Sequence, residues 1–140
     1  MKKVLRSVVA LVLIVVFAVP VIALDGVWHD SYGMDDLYEN QPTERYPKDP
    51  AAGEIVYIKG TTWPVEPGQT LWVTYTKNGI AQQDVGAQWK YNEGNNSYWE
   101  AAIGPFAKGD VIEYYVHANK DGQNTQTVGP FSFTVADWET

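Results

Sequence analysis

The feature that most constrains this fold is the rhythm of the chain after Gly53. Short β-branched and aromatic runs alternate with clusters of Gly, Pro, Asn and Asp, at a spacing of about eight to twelve residues. Residues 54–59 read EIVYIK, 70–77 TLWVTYTK, 84–91 DVGAQWKY, 97–103 SYWEAAI, 111–118 VIEYYVHA and 131–136 FSFTVA. Between them stand turn formers such as Pro64, Pro67, Gly68, Asn78-Gly79, Asn92 to Asn96 and Asp121-Gly122. No run carries a helical period longer than a turn, and no internal repeat interrupts the pattern. The reading is an all-β, antiparallel β-sandwich of about seven strands.

Alternation inside the strands selects a core. Leu71, Val73 and Tyr75 fall on one face of their strand, with Trp72, Thr74 and Thr76 on the other. Ile112, Tyr114 and Val116 are expected inside, joined by Trp99, Ala101, Ile103, Phe131 and Phe133. Tyr114, early in its strand, is placed where such sandwiches carry a corner tyrosine. Trp89 is also read as core, whereas Trp72, Tyr98 and Tyr115 are read as outward.

Residues 1–23 stand apart. Lys2, Lys3 and Arg6 precede an uncharged apolar run that Pro20 interrupts, and Val21-Ile22-Ala23 offers small residues for cleavage. This is the pattern of a secretory signal peptide cut after Ala23, with an uncleaved anchor as the alternative. The chain then divides into the signal (1–23), an irregular N-terminal arm (24–53) and the sandwich (54–140). Three of the 10 basic residues and none of the 17 acids lie in the signal, so residues 24–140 carry 7 − 17 = −10. A chain so acidic repels phosphate backbones, which argues against nucleic-acid partners. It has no cysteine, so thiol chemistry is excluded. An exported, disulfide-free chain fits a secreted bacterial or archaeal protein.

Catalytic signals are weak. Glu93, Glu100, Asp110 and Glu113 lie near aromatic positions, but no motif pairs them as a glycosidase would. His29 and His117 have no nucleophile-elbow context. The chain is therefore read as non-enzymatic. No cofactor is expected. Calcium is conceivable at DSYGMDDLYEN (30–40) or NKDGQN (119–124), yet neither matches an EF-hand loop, and no metal ligand is assigned. Asn95-Asn96-Ser97 fits the acceptor pattern for N-glycosylation.

The stronger signal is aromatic. The chain has six Trp, more than a core this small requires. WKYNEGNNSYW (89–99) places rings and amides together, and this pairing suits saccharides, whose apolar ring faces stack on Trp or Tyr while amides read the hydroxyls. The candidate ligand-binding residues are Trp63, Trp72, Lys90, Asn92, Asn95, Asn96 and Tyr98. For Trp63, in a Pro-rich turn, wedge and platform are both open readings.

Two stretches extend this. GVWHDSYGMDDLYENQP (26–42) resembles the opening of the N-terminal module of some secreted amylases and amylopullulanases, although LYENQPTERYP stands where that family continues Y-R-x-P-x-G. WEAAIGPFAKGDVIEYYVHA and VGPFSFTV resemble the second half of immunoglobulin-like or fibronectin-like modules on amylase-type glycoside hydrolases. The resemblance implies an immunoglobulin-like sandwich beside an α-glucan-cleaving catalytic domain. Such modules either bind starch or brace the catalytic domain. The expected function is thus a carbohydrate-binding module for α-glucan acting by ring stacking, free-standing or at the front of a longer enzyme. The alternative is a structural module that docks a glycoside hydrolase catalytic domain or another extracellular protein. The expected partners are a polysaccharide or oligosaccharide and such a catalytic domain, with no membrane partner once the signal is removed.

Overall fold

The computed structural model describes residues 26–29 and 43–137. Residues 1–23, expected to be a signal peptide, and half of the segment 24–53, including its calcium candidate, lie outside the described residues.

Ten strands follow in order: β1 (Gly26–Trp28), β2 (Arg45–Tyr46), β3 (Val56–Trp63), β4 (Gln69–Lys77), β5 (Ile80–Ala81), β6 (Val85–Gly86), β7 (Gln88–Glu93), β8 (Asn96–Ile103), β9 (Val111–Lys120) and β10 (Gln123–Thr134). One sheet runs β1-β3-β8-β7, with β2 also on β3, and the other runs β10-β9-β4-β5, with β6 also on β4. All pairings between named strands are antiparallel. The expected sandwich is therefore present, and the count exceeds seven because of its short strands.

Two expectations about strands need correction. The stretch 84–91, read as one strand, is two strands in different sheets. Val85 and Gly86 pair with Val73 and Trp72 of β4, whereas Gln88 and Trp89 pair with Glu100 and Trp99 of β8. The chain changes sheets at Ala87, whose N–H donates to the Leu71 carbonyl at 2.9 Å. Ala87 also packs against the core, so apolar patterning runs unbroken through the switch. The second correction concerns residues 24–53, read as irregular: β1 and β2 both lie within them and pair with β3.

The core is built as alternation dictates. Val56, Ile58, Leu71, Val73, Ile112, Tyr114, Val116 and Ala118 are sealed from solvent, with Ala101, Ile103, Phe133 and Val135 nearly so. Tyr75, Trp99 and Phe131 pack against this cluster while partly exposed. Gly60 belongs here too, because a Cβ on it would lie 2.8 Å from Leu71 Cδ1. Leu71 occupies the space that a side chain at residue 60 would need.

The expected corner role of Tyr114 is replaced by a different one. Its hydroxyl bonds to two side chains from the N-terminal segment, 2.8 Å from His29 Nε2 and 3.1 Å from Arg45 Nη1. His29 Nδ1 lies 2.6 Å from the Lys59 carbonyl, which can only accept, so Nδ1 carries the proton. Nε2 then accepts from Tyr114, and the Tyr114 oxygen accepts from Arg45. The guanidinium donates through Nε and Nη2 to the Lys48 carbonyl and sits 4.8 Å from the Phe133 ring centroid. Phe131 meets His29 edge-on at 4.8 Å. These bonds tie β1 and β2 into the centre of the sandwich.

Burial, assisted by the Arg45 charge, lowers the His29 pKa to about 4, against the backbone bonds at Lys59 and Thr43. Burial pushes Tyr114 up to about 12, with Arg45 opposing it. His29 is thus neutral in the fold and takes up a proton more readily when unfolded. Its contribution is complete above about pH 6.5 and is lost as pH falls toward 4, about 3 kcal/mol in all. Urea unfolding at pH 7.5, 5.5 and 4.5 should show a steeper loss of stability for the native chain than for His29→Phe over this window. Parallel curves would remove His29 from the account.

Candidate functional site

Three turns meet at one end of the sandwich. The β3–β4 turn, from Pro64 to Gly68, is held on one side by Asn95 of the β7–β8 turn, whose Oδ1 accepts from the Val65 N–H at 3.1 Å. On the other side the Asp121 N–H of the β9–β10 turn donates to the Gly68 carbonyl at 2.8 Å. Lys120 Nζ adds an ion pair to Glu66 at 2.8 Å, both side chains largely buried.

Between the β3–β4 turn and the β7–β8 hairpin lies an open groove of about 400 Å³, lined by Val65, Glu66, Pro67, Gly68, Gln69, Trp89, Asn92, Ser97 and Trp99. This is within the range of small-ligand sites. Trp89 and Trp99 face each other across β7 and β8. Contrary to its assignment to the core, Trp89 is 53% exposed, because β7 is the sheet edge and no strand among the described residues lies beyond it.

The groove walls are fixed by hydrogen bonds. Asn92 Oδ1 accepts from Trp89 Nε1 at 2.8 Å and from the buried Ser97 hydroxyl at 2.7 Å. Trp99 Nε1 donates to Thr62 Oγ1 at 2.9 Å, Thr62 donates to Gln69 Oε1 at 2.8 Å, and Gln69 Nε2 donates to the Pro64 carbonyl at 2.6 Å. An exposed indole is thus held in one orientation beside polar groups that are themselves positioned. Such an arrangement presents a flat apolar face without a further ordering cost at binding.

The residues singled out from sequence are distributed over three places. Asn92 lines the groove and Asn95 anchors its turn. Trp63, Lys90, Asn96 and Tyr98 belong to the neighbouring outer face of the same sheet. There Lys90 pairs with Glu100 at 3.4 Å, Asn96 Nδ2 lies 3.4 Å from the Tyr98 hydroxyl, and Tyr98 stacks on Tyr91 with centroids 4.8 Å apart. Trp72 is on the opposite sheet, stacked on His117 at 5.3 Å. His117 is in turn held by Thr74 and Thr127, each at 2.8 Å. Burial lowers the His117 pKa, against the pull of Asp84. Alternation assigned Trp72 and Tyr98 to outer faces, and they lie there, half-buried against other rings.

Gln69, Trp89 and Trp99 were missed as groove residues. The available signal was the edge position of β7, since the face-inward residue of an edge strand need not be buried. Among the described residues no group of three or more His, Asp or Glu side chains is disposed to hold a metal ion.

Replacing Asn92 by Ala should remove the acceptor of two donors, one of them buried, and cost about 1–2 kcal/mol. Hydrogen exchange at the Trp89 indole should quicken, while Asn92→Asp, which keeps an acceptor, should stay close to the native chain. Chemical denaturation and NMR exchange read both effects. Unchanged indole exchange in Asn92→Ala would contradict the pinning.

Comparison with known proteins gives this geometry a family context. An isomaltosyltransferase of Sporosarcina globispora is 64% identical over 123 residues, which are 88% of this chain and 11% of that one. The solved cycloalternan-forming enzyme of Listeria monocytogenes, in complex with a pentasaccharide substrate, is 53% identical with a TM-score of 0.76, covering 79% of this chain and 10% of that one. A cycloalternan-degrading enzyme of Trueperella pyogenes, 18% identical with a TM-score of 0.63 over 81% of this chain and 18% of its own, shares the fold. The chain therefore spans about a tenth of the first two relatives. The family described as Lmo2446-like, N-terminal, matches residues 28–99. The chain belongs to the Lmo2446-like N-terminal family and is similar to a segment of the isomaltosyltransferase and of the cycloalternan-forming enzyme.

Proposed function

We propose that this β-sandwich is a secreted, non-catalytic accessory module that holds α-glucan for an isomaltosyltransferase-type glycoside hydrolase. One observation carries the reading: Trp89 stays half-exposed at a groove edge, with its indole fixed by Asn92 at 2.8 Å. A pyranose ring stacks on the open face of Trp89. The free Nδ2 of Asn92 supplies a polar contact to its hydroxyls. The saccharide chemistry of the relatives supports a glucan over other flat ligands. Secretion is supported by the charge and apolar pattern of residues 1–23.

The groove revises the choice of stacking ring. Trp89 is the platform, Asn92 its positioning partner, and Asn95 fixes the turn opposite. Trp72 lies on the far sheet and contributes nothing to this groove.

Retention of residues 24–140 on insoluble starch, dextran, cellulose and xylan tests this. The native chain should be held by an α-glucan, and Trp89→Ala should lose at least tenfold in affinity with its fold intact by circular dichroism. Trp72→Ala should bind as the native chain does. No retention on any α-glucan, or equal retention by Trp89→Ala, would defeat the reading.

A further inference from the structure

The outer face of the sheet formed by β1, β2, β3, β8 and β7 has a character unlike the rest of the molecule. Strand register places Tyr57, Thr61 and Trp63 of β3 outward, with Trp28 beside Thr61 and Tyr46 beside Tyr57. Across β3 lies Tyr98, and beyond it Tyr91. Trp28, Tyr46, Tyr57, Trp63 and Tyr91 are each between 37% and 49% exposed. At about 3.3 Å per residue and 4.8 Å per strand, the face measures about 20 by 14 Å, roughly 300 Å² before side chains spread it. A single exposed aromatic needs no explanation, but five on one sheet face form a patch of the kind that proteins cover.

The charge distribution agrees. Residues 24–140 carry −10, yet the middle row of this face, Lys59, Glu100 and Lys90, sums to +1. Aromatic enrichment of this kind is the composition of an interface centre. A saccharide fits this face less well than a protein does. Tyr91 and Tyr98 turn their rings on each other, and Asn95 and Asn96 engage their own hairpin and turn. A second copy would bring two strongly acidic bodies together. The other nine-tenths of the related enzymes provides a large polypeptide to cover it. Ala136 bridges Ala51, and its N–H donates to the Pro50 carbonyl at 2.9 Å, beside the segment that leads into Tyr57.

We infer that this face is the docking surface for the body of the glycoside hydrolase, with Trp28, Tyr46, Tyr57 and Trp63 as its anchors. The inference rests on membership of the enzyme family and is independent of saccharide binding in the groove. The matching surface on the body is apolar where it meets these four rings.

The absence of cysteine gives a direct test. Tyr57→Cys and, on the opposite sheet, Ile80→Cys are introduced into the chain alone. The same variants are made in a chimera in which the chain replaces the matched segment of the Sporosarcina globispora isomaltosyltransferase. Alkylation by iodoacetamide is followed by peptide mass spectrometry. The thiol of Tyr57→Cys should react at least tenfold more slowly in the chimera than in the chain alone, with that of Ile80→Cys equally reactive in both. Trp63→Cys, read the same way, replaces Tyr57→Cys should circular dichroism show that variant unfolded. Equal reactivity at the face position in both proteins would overturn the inference. So would protection in the chain alone that rises with its concentration, which indicates a second copy. Protection in the chain alone on adding maltoheptaose would overturn it in favour of a saccharide.

Discussion

The hydroxyl of Tyr114 is the point on which the two halves of this chain depend. It takes a hydrogen bond from Arg45 and gives one to His29, in a core whose other apolar side chains are Val, Ile, Leu, Ala and Phe. A buried hydroxyl costs free energy unless both its donor and its acceptor capacity are used. Here both partners come from the segment before residue 46, so the core is polar-satisfied only with that segment in place. β1 and β2 are very short strands, and their ladder bonds alone would hold them weakly. The network gives them their register, with Val27 buried and Trp28 and Tyr46 turned outward.

How far the fold could be read from sequence follows from what alternation can and cannot encode. Leu71, Val73, Ile112, Tyr114 and Val116 alternate cleanly and are all sealed from solvent. Ala87 shows the limit. A strand that leaves one sheet for the other keeps its inward residue apolar, so 84–91 reads as one strand. Trp89 shows a second limit: its inward parity was legible, but burial depends on whether a further strand covers it. Tyr114 shows a third. Its position marked it as structural, but its partners lie 85 and 69 residues away, and no local pattern announces a pairing at such separation.

The candidate site was legible in kind more than in detail. The cluster of rings and amides in 89–99 did point to the hairpin that forms one groove wall. The opposite wall is the β3–β4 turn, held by Asn95 and by the Lys120–Glu66 pair, and only the tertiary fold brings it there. The amides proved to have architectural roles as well. Asn92 positions Trp89 and Asn95 positions Val65, so the groove is rigid before any ligand arrives. Groove and aromatic face lie on the same sheet and share the β7–β8 hairpin, with Trp89 turned to one side and Tyr91 to the other across the bulge between them. One small domain can in this way present a ligand edge and a broad apolar face without either competing for the same rings.

The most direct measurement of the central claim is an NMR titration of the tryptophan indole N–H signals with maltoheptaose. The six Trp residues are separate reporters. Saccharide held in the groove should shift the signals of Trp89 and Trp99 in a saturable manner and leave Trp72 unmoved. Saturable shifts confined to Trp28 and Trp63, or no shift at any indole, would contradict the account.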